Sequence, residues 1–161
     1  MDKINKGNAI SNWIKKKVLE HEPLLILLIL VSVFIHYLNV QYSIPITIIV
    51  LSTAATIYYI AAFAKHEEED LNMFDLFLYK LCGISCSVSL LGILFSILEW
   101  PGDKPMNTVG TLSLAICLIY MLLEKRKRPN LKIFNKSFIL RVAVLLAISA
   151  YFMIKKLGYI A

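Results

Sequence analysis

The stretch Gly92-Ile93-Leu94-Phe95-Ser96-Ile97-Leu98-Glu99-Trp100-Pro101-Gly102-Asp103-Lys104-Pro105 closes a long apolar run and turns sharply. A further apolar run starts at about Val109. Pro-Gly punctuates a helix and favours a tight reversal. Trp100 has the amphipathic ring that settles at a membrane–water boundary. The stretch therefore reads as the turn between two membrane-spanning helices, and the rest of the chain repeats this unit or connects copies of it.

Composition agrees. Of 161 residues, 58% are hydrophobic and 17% charged, and mean hydropathy is +0.70. A soluble domain of this size has too little core to hide so much apolar surface. Apolar runs of about 20 residues suit a bilayer instead. The expected fold is an all-α integral membrane protein with five transmembrane helices.

Residues 1–22 are polar and basic. Ile10, Trp13, Ile14 and Val18 fall on one helical face, with lysines on the others. This segment is expected to lie in the membrane interface, a partly ordered basic tail being the alternative. A signal peptide is disfavoured, because no small-residue cleavage site follows the apolar run. The first hairpin covers residues 23–64, with spans at about Pro23–Val40 and Ile44–Ala64. Pro23 suits a first helical turn. An acidic link at 65–75 carries Glu67-Glu68-Glu69-Asp70. The second hairpin covers 76–123, with spans at about Leu76–Trp100 and Thr108–Leu123. A basic link at 124–136 contains Lys125-Arg126-Lys127-Arg128. The fifth span, about Ser137–Ile154, lies within 137–161 and is followed by a short tail.

Of the 17 lysines and arginines, twelve lie at the N-terminus, in the acidic link or in the basic link, and Lys80 and Arg141, near the starts of the third and fifth spans, bring that side to 14. Lys104, Lys155 and Lys156 lie on the other side. The positive-inside bias predicts N-inside, C-outside, in a bacterial inner membrane. Arg141 sits just within the fifth span and is expected to snorkel back to the cytoplasmic interface.

A shift of 61 residues places Phe34 on Phe95, Leu51 on Leu112, Ser52 on Ser113, Ala54 on Ala115 and Tyr59 on Tyr120. The pattern is that of a tandem helical-hairpin repeat, though apolar helices also match readily by chance. The units start on the same side, unlike the inverted repeats of many secondary transporters.

Gly83 and Ser87, four apart, and Ser52 with Ala55 are small enough for close helix approach and are interaction candidates. Cys82, Cys86 and Cys117 lie inside apolar runs, and an odd number there does not suggest a disulfide framework. No span carries an ionisable group near its middle, the usual mark of an ion pathway. His36, Glu99 and Trp100 are placed at the outer interface. Lys125, Arg126, Lys127 and Arg128 would attract anionic headgroups. No catalytic constellation, phosphate-cradling loop or metal motif is present. Nothing combines a basic face with groove-reading elements, which excludes a nucleic-acid role.

Gly92-x-Leu94-Phe95-x-Ile97-x-x-Trp100, the Pro-Gly turn and Gly110 together resemble the transmembrane hairpin of the gliding-motility, type 9 secretion membrane protein GldL of Bacteroidota, over about 30 residues. The resemblance implies a hairpin that goes out, turns and returns. It departs from that family at Ser96, where the family has a lysine, and at Glu99, where it has a histidine. Leu114 lies near the position of the family's intramembrane acid. The proton-driven motor role therefore does not carry over.

The expected function is a small structural or interaction subunit of a membrane assembly, without catalysis or cofactor. Its partners would be anionic lipid and other membrane proteins or a second copy. The alternative is a small-solute or lipid transporter component, with a polar cavity lined by Ser52, Thr56, Ser85, Ser89 and Ser113.

Overall fold

A computed structural model describes residues 2–38, 40–64, 72–128 and 136–156. All regular structure among the described residues is helical: α1 (Asp2–Tyr37), α2 (Ser43–Ala62), α3 (Met73–Ile97), α4 (Asp103–Lys127) and α5 (Lys136–Lys156). α2 to α5 are each long and apolar enough to cross a membrane, while the apolar part of α1, His21–Tyr37, is shorter. The acidic block at 67–70, most of the basic link after Arg128 and the tail at 157–161 lie outside the described residues.

The expected boundary between an interfacial segment and a first span is a bend inside one helix. His21 leaves helical geometry, at φ −115° and ψ 16°. Pro23, two residues on, supplies the cause: its ring lacks an N–H and clashes with the carbonyl four residues back. The helix resumes with Pro23 in its first turn, as expected.

The two hairpin turns share a local design. In the second, Asp103 N–H reaches Trp100 O at 3.4 Å, and Gly102 at φ 94° and ψ 1° precedes α4. Pro then Gly at the two central positions is a type II reverse turn. In the first, Ser43 N–H reaches Val40 O at 3.0 Å, and Tyr42 at φ 67° and ψ 11° precedes α2. Each left-handed residue is followed three places later by a proline, Pro45 or Pro105, where a missing N–H costs nothing. Tyr42 holds a backbone region that glycine enters freely and other residues enter at about 1 kcal/mol. Its ring is exposed. Tyr42→Gly is therefore expected to raise stability by about 1 kcal/mol, read as a higher unfolding midpoint in detergent.

α3 is the hub, packing against α2, α4 and α5, while α1 lies on α2 and touches α5. Close approach at small residues makes this arrangement possible. A Cβ at Gly83 would stand 2.6 Å from Ala62 Cβ, and one at Gly110 would stand 2.9 Å from Ser89 Cα. The core between the helices contains Leu51, Leu90, Ile93, Leu114, Met121, Phe138, Val142 and Leu145. Outside, Leu24, Leu27, Leu28 and Val31 on α1 and Val109, Leu112, Ile116 and Ile119 on α4 are exposed. So extensive an apolar exterior is foreign to a monomer in water.

Candidate functional site

Among the described residues, three internal ties join the helices through ionic and side-chain-to-side-chain polar contacts, and a cleft opens beside them. The first tie joins α1 to α5. Glu22 is 0% exposed and Arg141 4%, with Arg141 Nη1 3.0 Å from Glu22 Oε1. The contact is an ion contact rather than an aligned hydrogen bond: among the described residues, neither Glu22 oxygen nor Arg141 Nε has a hydrogen-bond partner. The guanidinium lies 4.7 Å from the Tyr58 ring centre and 4.2 Å from that of Phe138, an aromatic enclosure that suits a weakly hydrated planar cation. This corrects the expectation that Arg141 snorkels to the interface. Its charge turns inward because the bend at His21 brings Glu22 to meet it. Glu22, in turn, is buried rather than part of a solvated basic segment.

The second tie clamps the near ends of α3 and α4. Asp75 accepts from Arg128 Nη1 at 3.0 Å and from Nη2 at 2.8 Å, a bidentate fork. It also accepts from the Asn72 N–H at 3.2 Å, which closes the start of α3. Arg128 Nη2 donates to Glu124 Oε2 at 2.6 Å. The hydrogen bonds to Asp75, with those to Glu124, push the Arg128 pKa further up. So the basic run is divided. Arg128 is spent on an internal clamp, while Lys125 is half-buried and Arg126 and Lys127 are exposed.

The third tie is a polar knot between α3, α4 and α5. Asn107, 1% exposed, donates from Nδ2 to Ser96 Oγ at 3.0 Å and accepts from Ser149 Oγ at 3.1 Å. Ser149 Oγ also lies 2.7 Å from Thr111 Oγ1. Interhelical hydrogen bonds of this kind join helices that have little hydrophobic drive to associate in lipid.

The cleft lies at the hairpin end, where the ends of α1, α3 and α5 come together. Its volume is about 540 Å³, within the range of small-molecule sites. Leu30, Val33, Phe34, Ile97 and Phe152 give it an apolar wall; His36, Glu99, Lys155 and two tyrosines, Tyr37 and Tyr151, give it a polar rim. No ion pair joins Glu99 to Lys155 or to His36 among the described residues. His36 Nδ1 is buried and has no hydrogen-bond partner.

The position of Glu99 follows from how α3 ends. Trp100 N–H bonds to Phe95 O at 3.0 Å, and the two rings pack edge to face at 5.3 Å. These are the hydrogen bond and the apolar contact of a Schellman motif, whose left-handed position normally holds glycine. Here it is Glu99, at φ 55°. A charged residue kept in a strained conformation beside a cleft is the kind of outlier that accumulates at functional sites.

Of the three residues placed at the outer interface from the sequence, His36 and Glu99 line the cleft, while Trp100 is half exposed. Gly83, Ser87 and Ala55 are buried inside the bundle, so their close-packing capacity is used within this chain. Ser52 is half-buried and accepts, at its backbone O, the hydroxyl of exposed Thr56 at 2.9 Å. Ser85 and Ser89 are buried, Ser113 is half-buried, and none of the five hydroxyl residues lines the cleft. Cys82, Cys86 and Cys117 are buried and free. His36 and Lys155 carried a readable signal, since each is polar at the same end of an apolar run; their convergence depends on how α1 and α5 pack. Neither a family model, a curated protein nor a solved structure matches the chain.

Proposed function

We propose that this is a five-span bacterial inner-membrane protein, N-inside, that binds an amphiphile in the hairpin-end cleft without catalysing a reaction. The cleft carries the reading: an apolar wall from three helices lies beneath His36, Glu99 and Lys155, with no ion pair among these three described residues. The level of the rim supports it, because tyrosines and Trp100 at helix ends mark the layer where headgroups sit. The short apolar part of α1 serves as the first of the five spans with the support of α2. Two side-chain contacts assist: Thr47 Oγ1 donates to Ser32 O at 3.2 Å and Ser32 Oγ donates to Ile29 O at 2.9 Å.

Purification in mild detergent should recover copurifying lipid by native mass spectrometry. Val33→Trp, which fills the cleft wall, should lower the bound-lipid fraction roughly tenfold with helix content unchanged. Lipid retention equal to wild type in that variant would remove the reading.

A second reading, a structural or interaction subunit of a membrane assembly, is supported by Arg126 and Lys127, exposed in the last turn of α4, the latter 3.9 Å from Glu124. They suit anionic lipid or an acidic partner segment. It requires a stoichiometric partner or homo-oligomer in mild detergent, and a solitary monomer would count against it. The likeness of the Gly92–Gly110 hairpin to the GldL hairpin stays a proposal of shared hairpin geometry.

A further inference from the structure

The chemistry of the rim narrows the ligand. Glu99 brings a carboxylate, Lys155 an ammonium and His36 a buried, unpartnered ring nitrogen to one opening. Glu99 and Lys155 are exposed, and opposite charges left apart on one rim are each available to a ligand group. A purely anionic head placed there meets Glu99, and a purely cationic one meets Lys155. A head with both charges satisfies both, and rejection of the others follows from the same two side chains. The strained backbone of Glu99 fits this role, because a glycine there would end α3 more comfortably and leave no carboxylate at the rim.

Resting on the amphiphile reading above, we infer that the cleft selects a zwitterionic lipid, of the phosphate–ammonium class found in ethanolamine phospholipids. The phosphate lies toward Lys155 and His36, and the ammonium toward Glu99. The acyl chains follow the wall formed by Leu30, Phe34 and Phe152.

The test uses the full chain, purified in mild detergent. It is titrated with phosphatidylethanolamine, with phosphatidylglycerol of identical chains, and with chainless glycerophosphoethanolamine. Bound species are counted by native mass spectrometry. Phosphatidylethanolamine is expected to bind about tenfold tighter than phosphatidylglycerol, a difference of the size one satisfied polar contact confers. Glu99→Gln should weaken phosphatidylethanolamine by about tenfold, which brings the preference to near unity, while phosphatidylglycerol still binds. Lys155→Ala should weaken both lipids by roughly tenfold. Equal affinities in the wild type, or a preference unmoved by Glu99→Gln, would overturn the headgroup assignment and leave amphiphile binding standing. Absence of binding by either lipid would overturn both. Chainless headgroup binding as tight as the lipid would show a soluble zwitterion site and overturn the lipid assignment.

Discussion

Arg141→Leu is expected to lower stability by roughly 3–5 kcal/mol, the usual consequence of removing one member of a buried ion pair. The loss comes mainly from Glu22, left charged and 0% exposed with no cation beside it. The companion variants separate the causes. Glu22→Leu combined with Arg141→Leu should recover most of the loss, since a buried pair exchanged for apolar groups is close to neutral. Arg141→Lys keeps the charge but gives up planar stacking on Tyr58 and Phe138. It should fall about 1 kcal/mol below wild type. Unfolding midpoints in mixed micelles give all three. If the double variant were as unstable as Arg141→Leu, the pair would owe its effect to shape rather than charge.

Gly83→Leu should cost about 3 kcal/mol, at the upper end of the overpacking range, and should push α2 away from α3. The nearest obstacles to a side chain there are Ala62 Cβ at 2.6 Å and Ala62 Cα at 3.1 Å. Neither can swing aside as a long side chain would. Ala62→Gly in the same chain removes the first obstacle and should return part of the loss. Gly102→Ala serves as the contrast. Nothing lies within 4 Å of a Cβ there, so only the left-handed backbone is penalised, at about 1 kcal/mol. Thermal unfolding in detergent ranks the three, and a Gly102→Ala loss as large as that of Gly83→Leu would refute the packing argument.

Helices were the legible part of this chain, because a bilayer-length apolar run leaves few other solutions for the backbone. The reading placed α2 at about Ile44–Ala64 against the observed Ser43–Ala62, and α5 at about Ser137–Ile154 against Lys136–Lys156. α4 was read too short at its start: Asp103 and Lys104 look like turn residues, yet the left-handed Gly102 starts the helix immediately. The polar ties were not legible. Glu22 and Arg141 each flank an apolar run and so resemble ordinary interfacial charges. Only the bend before Pro23 and the packing of α5 against α1 bring them together. Arg128 looked like the last residue of a topogenic basic run, and nothing local distinguishes it from Lys127. The cleft was hidden for a similar reason. It is built from α1, α3 and α5, no two of which are consecutive, whereas sequence patterns report on neighbours in the chain.

The Glu22–Arg141 contact also has a temporal side. Glu22 lies at the bend in α1 and Arg141 in α5, which is synthesised later. Chains are made from the N-terminus, and early elements wait for later ones. Glu22 therefore stays without its counter-charge until α5 arrives. The apolar part of α1 is also shorter than α2 to α5, so the segment that waits for its counter-charge is the shortest of the five described. A chain that stops after α4 keeps the Glu22 carboxylate without the Arg141 guanidinium that meets it in the folded bundle.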